Sequence, residues 1–201
     1  MKLIMSPASP FVRKVRVLAA EIGLTAEIEE LPVVTTPVDT DAMLREANPL
    51  GKIPALVLED GRTIYDSRVI TRYLDVRAQA GVYPEDRLWD VLVLEATAEG
   101  VLEAAVLMVY EGRIRPESLH YPPWIEAQWA KAIGGVQAIE ARMMELLSGP
   151  LNMGQIAVAC ALGYLDFRHP GRDWRSGCPQ LAAWYADFES RPSMIATRPE
   201  T

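Results

Sequence analysis

Histidine and cysteine are both scarce, with two of each in 201 residues. His120 falls in a loop and His169 at a helix end, neither at metal-ligand spacing, and no G-x-S-x-G elbow is present. A zinc enzyme or a hydrolase is therefore poorly supported, and no metal is expected. Cys160 and Cys178 make no CxxC pair and suggest no disulfide framework. Cys160 reads as core, and Cys178, near a helix start, reads as structural rather than catalytic. A positive charge balance is missing too: the formal charge is -7 and the pI about 5.0, against nucleic acid or an anionic membrane surface as partner. The longest apolar run, Ile156 to Leu165, falls well short of the roughly 20 residues of a membrane span. The run before Pro7 is too short for a secretory h-region, which leaves the cytoplasm as the expected location. No internal repeat or low-complexity tract is visible.

What is present is apolar material for a sizeable core: half of the residues are hydrophobic. Charge is unevenly spread. Residues 1 to 80 hold ten Lys+Arg against eleven Asp+Glu, and the remainder ten against sixteen, so an anionic ligand meets less repulsion in the N-terminal part.

Lys2 to Met5 reads as a strand, followed by the loop Ser6-Pro7-Ala8-Ser9-Pro10. A helix follows, with Phe11, Val15, Leu18, Ala19 and Ile22 at helical spacing and Gly23 at its end. Ser9 then stands at the N-cap and Pro10 at N1, where proline is favoured. As structure alone, Ser9 is a capping serine. Arg13 and Lys14 occupy the first turn, where the helix dipole disfavours cations, and read as a solvated face with Arg16 or as an attraction for an anion. A second strand is expected over Glu27 to Leu31, parallel to the first. A short helix capped by Asp39 or Thr40 should run to Ala47.

The organising stretch is Asn48-Pro49-Leu50-Gly51-Lys52-Ile53-Pro54-Ala55-Leu56. Pro54 sits where the strand Ala55 to Leu58 begins, a position that proline tolerates because it donates nothing to a ladder. If the Ile53-Pro54 bond is cis, the turn points the N–H and C=O of Ile53 outward, able to hold a peptide-like ligand as one more strand. The strand Thr63 to Tyr65 follows through an Asp60-Gly61 hairpin turn. Asp66-Ser67 then opens a helix, Ser67 to Ala80, with Val69, Ile70, Tyr73 and Leu74 inward.

These two stretches, N-P-L-G-K-I-P and Y-D-S-R-V-I, resemble in order and separation the N-terminal motifs of the glutathione transferase superfamily, and the resemblance extends through the helical remainder. It implies a bacterial, serine-type member: an α/β thioredoxin-like domain over 1–80, a linker over 81–84 and an all-helical bundle over 85–201. It implies glutathione as co-substrate, with Ser9 (or, by loop length, Ser6) at the sulfur and the Ile53 backbone beside Pro54 pairing with the cysteinyl unit. Asp66 and Ser67 would hold the γ-glutamyl group, and Lys52 the glycine carboxylate. The implied reaction is attack of the glutathione thiolate on a small, largely apolar electrophile seated between the domains, for whose wall Phe11, Met108 and Tyr110 are guesses. Detoxification in a cytoplasmic homodimer is the implied setting. Glutathione-dependent thiol-disulfide exchange is the rival, which usually wants a cysteine where Ser9 stands; a non-catalytic relative that only binds is the other.

After Gly81-Val82-Tyr83-Pro84 the pattern is helical throughout. Residues 85 to about 112 form a long helix, with a column of small residues at Ala96, Gly100 and Ala104 and an acidic column at Glu95, Glu99 and Glu103. The acidic column reads as a solvated face or, by resemblance, as the lining of a dimer cleft. Trp124 to Leu147 is a further helix. Asn152 and Gln155 form a capping box for the apolar helix Ile156 to Leu165, with Leu151 and Ile156 as staple. A last helix starts near Cys178-Pro179, with Leu181, Trp184, Tyr185 and Phe188 inward, before a short tail.

Overall fold

The computed structural model describes residues 1–199. Two compact units are distinguished: Met1 to Val82 together with the segment from Pro192 onward, and Tyr83 to Arg191.

In the first unit, β1 (Lys2–Met5) is an inner strand because three of its four residues, Leu3, Ile4 and Met5, are apolar and fully buried. It pairs in parallel with β2 (Glu29–Pro32) and antiparallel with β3 (Ala55–Val57), which pairs antiparallel with β4 (Thr63–Ile64). The sheet order is β2-β1-β3-β4. Helix α1 (Pro10–Glu21) buries Val12, Val15, Val17, Leu18 and Ala19, each worth about 1.5–3 kcal/mol for the larger side chains. Helix α2 (Ala42–Ala47) is capped by Asp41, whose side chain accepts from the N–H groups of Met43 and Leu44, so the cap lies one or two residues beyond Asp39 or Thr40. Ile4, Leu44 and Ala55 form one core cluster, against which Ile53, Val57 and Leu31 pack. Helix α3 (Ser67–Ala78) buries Ile70 and Leu74, but Val69, expected inward, is half exposed.

Two expectations fail here for a physical reason. Arg13 and Lys14 are buried rather than solvated, and for Arg13 the reason is the chain after Pro192, which forms α8 (Pro192–Ala196) and packs on α1. The Arg13 guanidinium donates to the Met194 carbonyl at 3.0 Å, and the Ser193 hydroxyl bonds to Glu21. The expected assignment of everything from 85 to 201 to the helical part therefore differs from the observed grouping, in which this terminal segment joins the sheet-bearing unit.

The second unit is helical: α4 (Leu88–Ile114), α5 (Pro122–Arg142), α6 (Met153–Arg168) and α7 (Pro179–Phe188). Helix α6 is buried on all sides from Met153 to Leu165, which is why its sequence lacks a polar face. Its start is fixed by the expected box: Gln155 N–H donates to Asn152 Oδ1 at 3.1 Å, and Asn152 N–H to Gln155 Oε1 at 3.4 Å. A Cβ on Gly154 would stand 2.8 Å from Leu94 Cδ2, so the first turns of α6 and α4 approach each other closely. At the far end the His169 ring donates from Nε2 to the Ala105 carbonyl at 3.0 Å. The two helices thus run side by side in the same direction. The acidic column is a solvated face only at Glu103, which is exposed: Glu95 and Glu99 are buried, and Glu95 accepts from the Tyr83 hydroxyl at 3.1 Å. Among the described residues no helix is long and apolar enough to cross a membrane.

Candidate functional site

The register of the small sheet fixes where the motif residues emerge. Ile4 pairs with Ala55, so the outgoing end of β1 and the incoming end of β3 lie at one end of the sheet. Leu56 pairs with Ile64, which brings the outgoing end of β4 to that same end. Three connections converge there: the loop to Ser9 and α1, the 48–54 turn, and Tyr65-Asp66 leading into α3. Both α1 and α3 consequently begin at this end, directing the positive ends of two helix dipoles to it.

Ser9 is the N-cap of α1, with extended backbone (φ -80°, ψ 123°) and a hydroxyl that accepts from the Val12 N–H at 3.4 Å. Its own N–H donates to the Ser6 carbonyl at 3.0 Å, which places Ser6 one turn back in the loop. Capping uses an acceptor lone pair of the hydroxyl and leaves its proton free to be donated elsewhere.

The 48–54 turn is built by Asn48, only 2% exposed. Its Oδ1 accepts from the Leu50 N–H at 3.0 Å, and its Nδ2 donates to the Lys52 carbonyl at 2.7 Å. Gly51 has φ +61°, and a Cβ there would stand 2.9 Å from Thr40 Cγ2, so glycine is required twice over. The Ile53–Pro54 peptide is cis. Pro54 is buried, Ile53 is half buried against the core cluster, and the Lys52 side chain is exposed.

At the third connection Asp66 caps α3, accepting from the Arg68 N–H at 3.0 Å. The Arg68 guanidinium meets the same carboxylate at 3.0 Å. Partial burial pushes the Asp66 carboxyl up, but the hydrogen bond and charge of Arg68, with a contribution from Lys14, outweigh it and hold the pKa below the usual carboxylate value. Ser67, the first residue of α3, is buried. The Tyr65–Asp66 peptide is also cis, and nothing in the sequence announces it.

The structure therefore brings Ser9, Ile53, Pro54, Lys52, Asp66 and Ser67 into one unit, on loops leaving one end of one sheet. One participant went unrecognised in the sequence, and a second, Lys14, was read there either as part of a solvated face or as an attraction for an anion. Asn48 was read only as part of a motif, although an Asn three residues before a turn glycine, able to accept from the N–H two residues on, is a recognisable Asx-turn signal. Lys14 is a fully buried cation whose charge reaches Asp66. Beside it, Arg13 is 6% exposed, and its Nε lacks a hydrogen-bond partner among the described residues.

In the second unit, Met108 is buried and Tyr110 half buried on α4. Burial raises the Tyr110 phenol, with Arg113 acting in the opposite direction. Among the described residues no cluster of His, Cys, Asp and Glu is arranged to hold a metal ion.

Comparison with known proteins gives a consistent result. Residues 8–77 match the family model "Glutathione S-transferase, N-terminal domain", and residues 122–187 match "Glutathione S-transferase, C-terminal domain". The chain is 35% identical to the uncharacterized GST-like protein YibF of Escherichia coli (strain K12), over 99% of this chain and 98% of that one. A glutathione transferase family member from Pseudomonas fluorescens Pf-5, solved with bound glutathione, is 44% identical with a TM-score of 0.97, covering 100% of this chain and 99% of that one. The same description, with bound S-(propanoic acid)-glutathione, applies to a structure 43% identical with a TM-score of 0.92 and full coverage of both chains.

Proposed function

Given that the chain belongs to the glutathione S-transferase superfamily, we propose that it binds glutathione at the shared end of its sheet and transfers the thiolate to an electrophilic carbon. The observation that carries this reading is the convergence of Ser9, the 48–54 turn and Asp66-Ser67 on one end of a four-stranded sheet.

Each part of that convergence suits one part of the tripeptide. The Ser9 hydroxyl donates to the sulfur, and the start of α1 adds dipolar stabilisation, so the thiolate is favoured over the thiol. A thiol lowered by about two pKa units needs roughly 2.7 kcal/mol of preferential stabilisation of the anion, which is the order that one charge-assisted hydrogen bond and a helix end supply. The Ile53 backbone, beside Pro54, pairs with the cysteinyl unit in the manner of an added strand. The γ-glutamyl carboxylate sits at the N-terminus of α3 on Ser67, and its ammonium meets Asp66. Asp66 also has Arg68 as a partner, so the ammonium shares that carboxylate. Lys52, exposed beside the turn, receives the glycine carboxylate. The thiolate then forms a C–S bond to the electrophile while the leaving group departs with its electron pair. That one relative holds glutathione and another structure S-(propanoic acid)-glutathione supports chemistry at the sulfur.

We place this activity in a cytoplasmic homodimer serving detoxification. The exposed residues Trp89, Val93, Ala96 and Gly100 on α4 offer a face for a second copy; light scattering on purified protein checks it, and a monomer at micromolar concentration refutes it.

The test of function has two steps. Titration calorimetry with glutathione should give heat of association, and conjugation to a chromogenic aryl halide should release chloride with enzyme-dependent rate. Binding without turnover would identify a silent binder, turnover of mixed disulfides alone would identify a reductase, and no binding would remove the proposal.

A further inference from the structure

Ser9 is held to α1 only lightly by its own side chain. Its hydroxyl accepts from the Val12 N–H at a long 3.4 Å, and Pro10, which follows, has no N–H to contribute. The firmer tie comes one turn on, where the Arg13 N–H donates to the Ser9 carbonyl at 3.0 Å. Whatever anchors Arg13 therefore steadies the turn that carries the hydroxyl.

The Arg13 side chain is anchored by the far end of the chain. Its Nη2 donates to the Met194 carbonyl at 3.0 Å, and both residues are buried. That carbonyl lies in the last turn of α8, where carbonyls lack intrahelical partners. The Arg198 N–H turns to the Ile195 carbonyl at 3.3 Å and the Thr197 hydroxyl to the Ser193 carbonyl at 2.8 Å, so the Met194 carbonyl receives the guanidinium instead. Next to it, the Ser193 hydroxyl bonds to Glu21 at the other end of α1. Two adjacent residues of α8 are thus gripped by side chains about two helical turns apart on α1. A hold at two points fixes orientation as well as distance.

Packing alone does not account for an arginine at this position. The start of a helix disfavours a cation, and burial disfavours it again. The acceptor it meets is a neutral carbonyl, and its Nε lacks a partner among the described residues. Methionine, of similar length, would fill the space without these penalties. What methionine would not supply is a directional bond to backbone 181 positions away.

We propose that Arg13 is a positioning residue for the sulfur site: its bond to the Met194 carbonyl holds the first turn of α1, and with it the Ser9 hydroxyl, where the glutathione sulfur needs a donor. The segment from Pro192 onward then belongs functionally, as it does spatially, to the sheet-bearing unit. This rests on the conjugation reading and adds to it the element that keeps the donor aligned. Hydrogen bonds weaken steeply with misalignment, so a displacement of about half an ångström at the cap suffices to blunt this one.

The test uses the full chain and reads ultraviolet thiolate absorbance against pH at saturating glutathione, where folded, liganded protein gives the signal. R13M should raise the bound thiol's pKa by about half to one unit, roughly half the effect of removing the hydroxyl itself. In conjugation to an aryl halide, kcat at pH 7 should fall roughly three- to tenfold while KM for glutathione stays within about twofold, because the 48–54 turn and α3 still hold the tripeptide. R13K, which keeps a donor for the carbonyl, should recover part of both effects. I195P attacks the same bond from the other side: proline there drives Met194 out of helical backbone and displaces its carbonyl without touching α1. It should reproduce the R13M shift, and the double variant should shift no further than either alone, since both break one connection. A thiol titration unmoved in R13M and I195P, or shifts that simply add, would overturn the positioning role while leaving glutathione binding intact. Should R13M not fold, R13K and I195P carry the same decision, and wild-type titrations in both would overturn it. If the wild-type protein does not bind glutathione, the conjugation reading falls and this inference with it.

Discussion

Replacing Ser9 by alanine separates the two duties assigned to one hydroxyl. As a cap, the hydroxyl accepts from the Val12 N–H at a long 3.4 Å, so its loss should cost no more than about 1 kcal/mol of stability. The Arg13 N–H still reaches the Ser9 carbonyl at 3.0 Å, and Pro10 has no N–H to orphan, which keeps the start of α1 in place. As a donor to the glutathione sulfur, the hydroxyl supplies a charge-assisted bond of about 1.5–3 kcal/mol in the thiolate state only. Removing it should raise the bound thiol's pKa by about 1 to 2 units, since one unit corresponds to about 1.36 kcal/mol. A raised pKa means that the reactive anion is lost at pH 7 and recovered at higher pH, so conjugation should fall roughly ten- to a hundredfold at neutrality and partly recover above pH 8. Affinity for glutathione in its thiol form should be nearly unchanged. The assay is ultraviolet thiolate absorbance of the bound complex against pH, with calorimetry alongside. An unshifted titration in Ser9→Ala, with a shift in Ser6→Ala instead, would refute the assignment and move the donor to the earlier loop residue.

Asn152→Ala should destabilise the second unit by about 2 kcal/mol, because it removes the cap on Gln155 and the 3.3 Å donation from Nδ2 to the Leu146 carbonyl in a nearly buried setting; chemical denaturation measures it, and Asn152→Ser should recover about half. Arg68→Ala should raise the Asp66 pKa, because Arg68 is what outweighs burial there. A depressed carboxyl keeps its charge until pH falls through the lowered value, so glutathione affinity in the variant should be lost at a higher pH than in the wild type; calorimetry across acid pH reads the difference, and superimposed curves would count against Asp66 as the amine's partner. Burial holds the His169 ring below its ordinary value of 6.5, opposed by the bond to the Ala105 carbonyl and aided by the charges of Arg172 and Arg168. The unfolded chain then binds the proton more readily, so the thermal midpoint should fall as pH drops below about 6.5. Less of that fall is expected in His169→Asn, and an identical slope would remove the assignment.

Much of the fold was legible because local signals and long-range packing agree. Ser9-Pro10 and Asp66-Ser67 mark helix starts, Asp60-Gly61 marks a hairpin whose Gly61 has φ +84°, and Asn152 with Gln155 forms the box its residue types predict. The errors cluster where burial is decided by distant chain. Arg13 offers a solvent-facing reading from its own segment, and only α8, some 180 residues later, covers it. Glu95 and Glu99 look like a self-repelling exposed column, and only the fold of α4 against its neighbours buries them. Val69 looks inward by periodicity, yet the first turn of α3 opens outward.

The sequence alone determined that a small sheet with two well-capped helices precedes a helical bundle, and which residues stand at the loop ends. It did so because capping, turn chemistry and hydrophobic period act over a few residues and can be read one window at a time. The tertiary structure decided that β1, β3 and β4 discharge their loops at one end of the sheet, because strand register couples residues some fifty positions apart. It also decided that Arg13 is buried against α8, since its bond to the Met194 carbonyl joins residues 181 positions apart and leaves no mark in either segment.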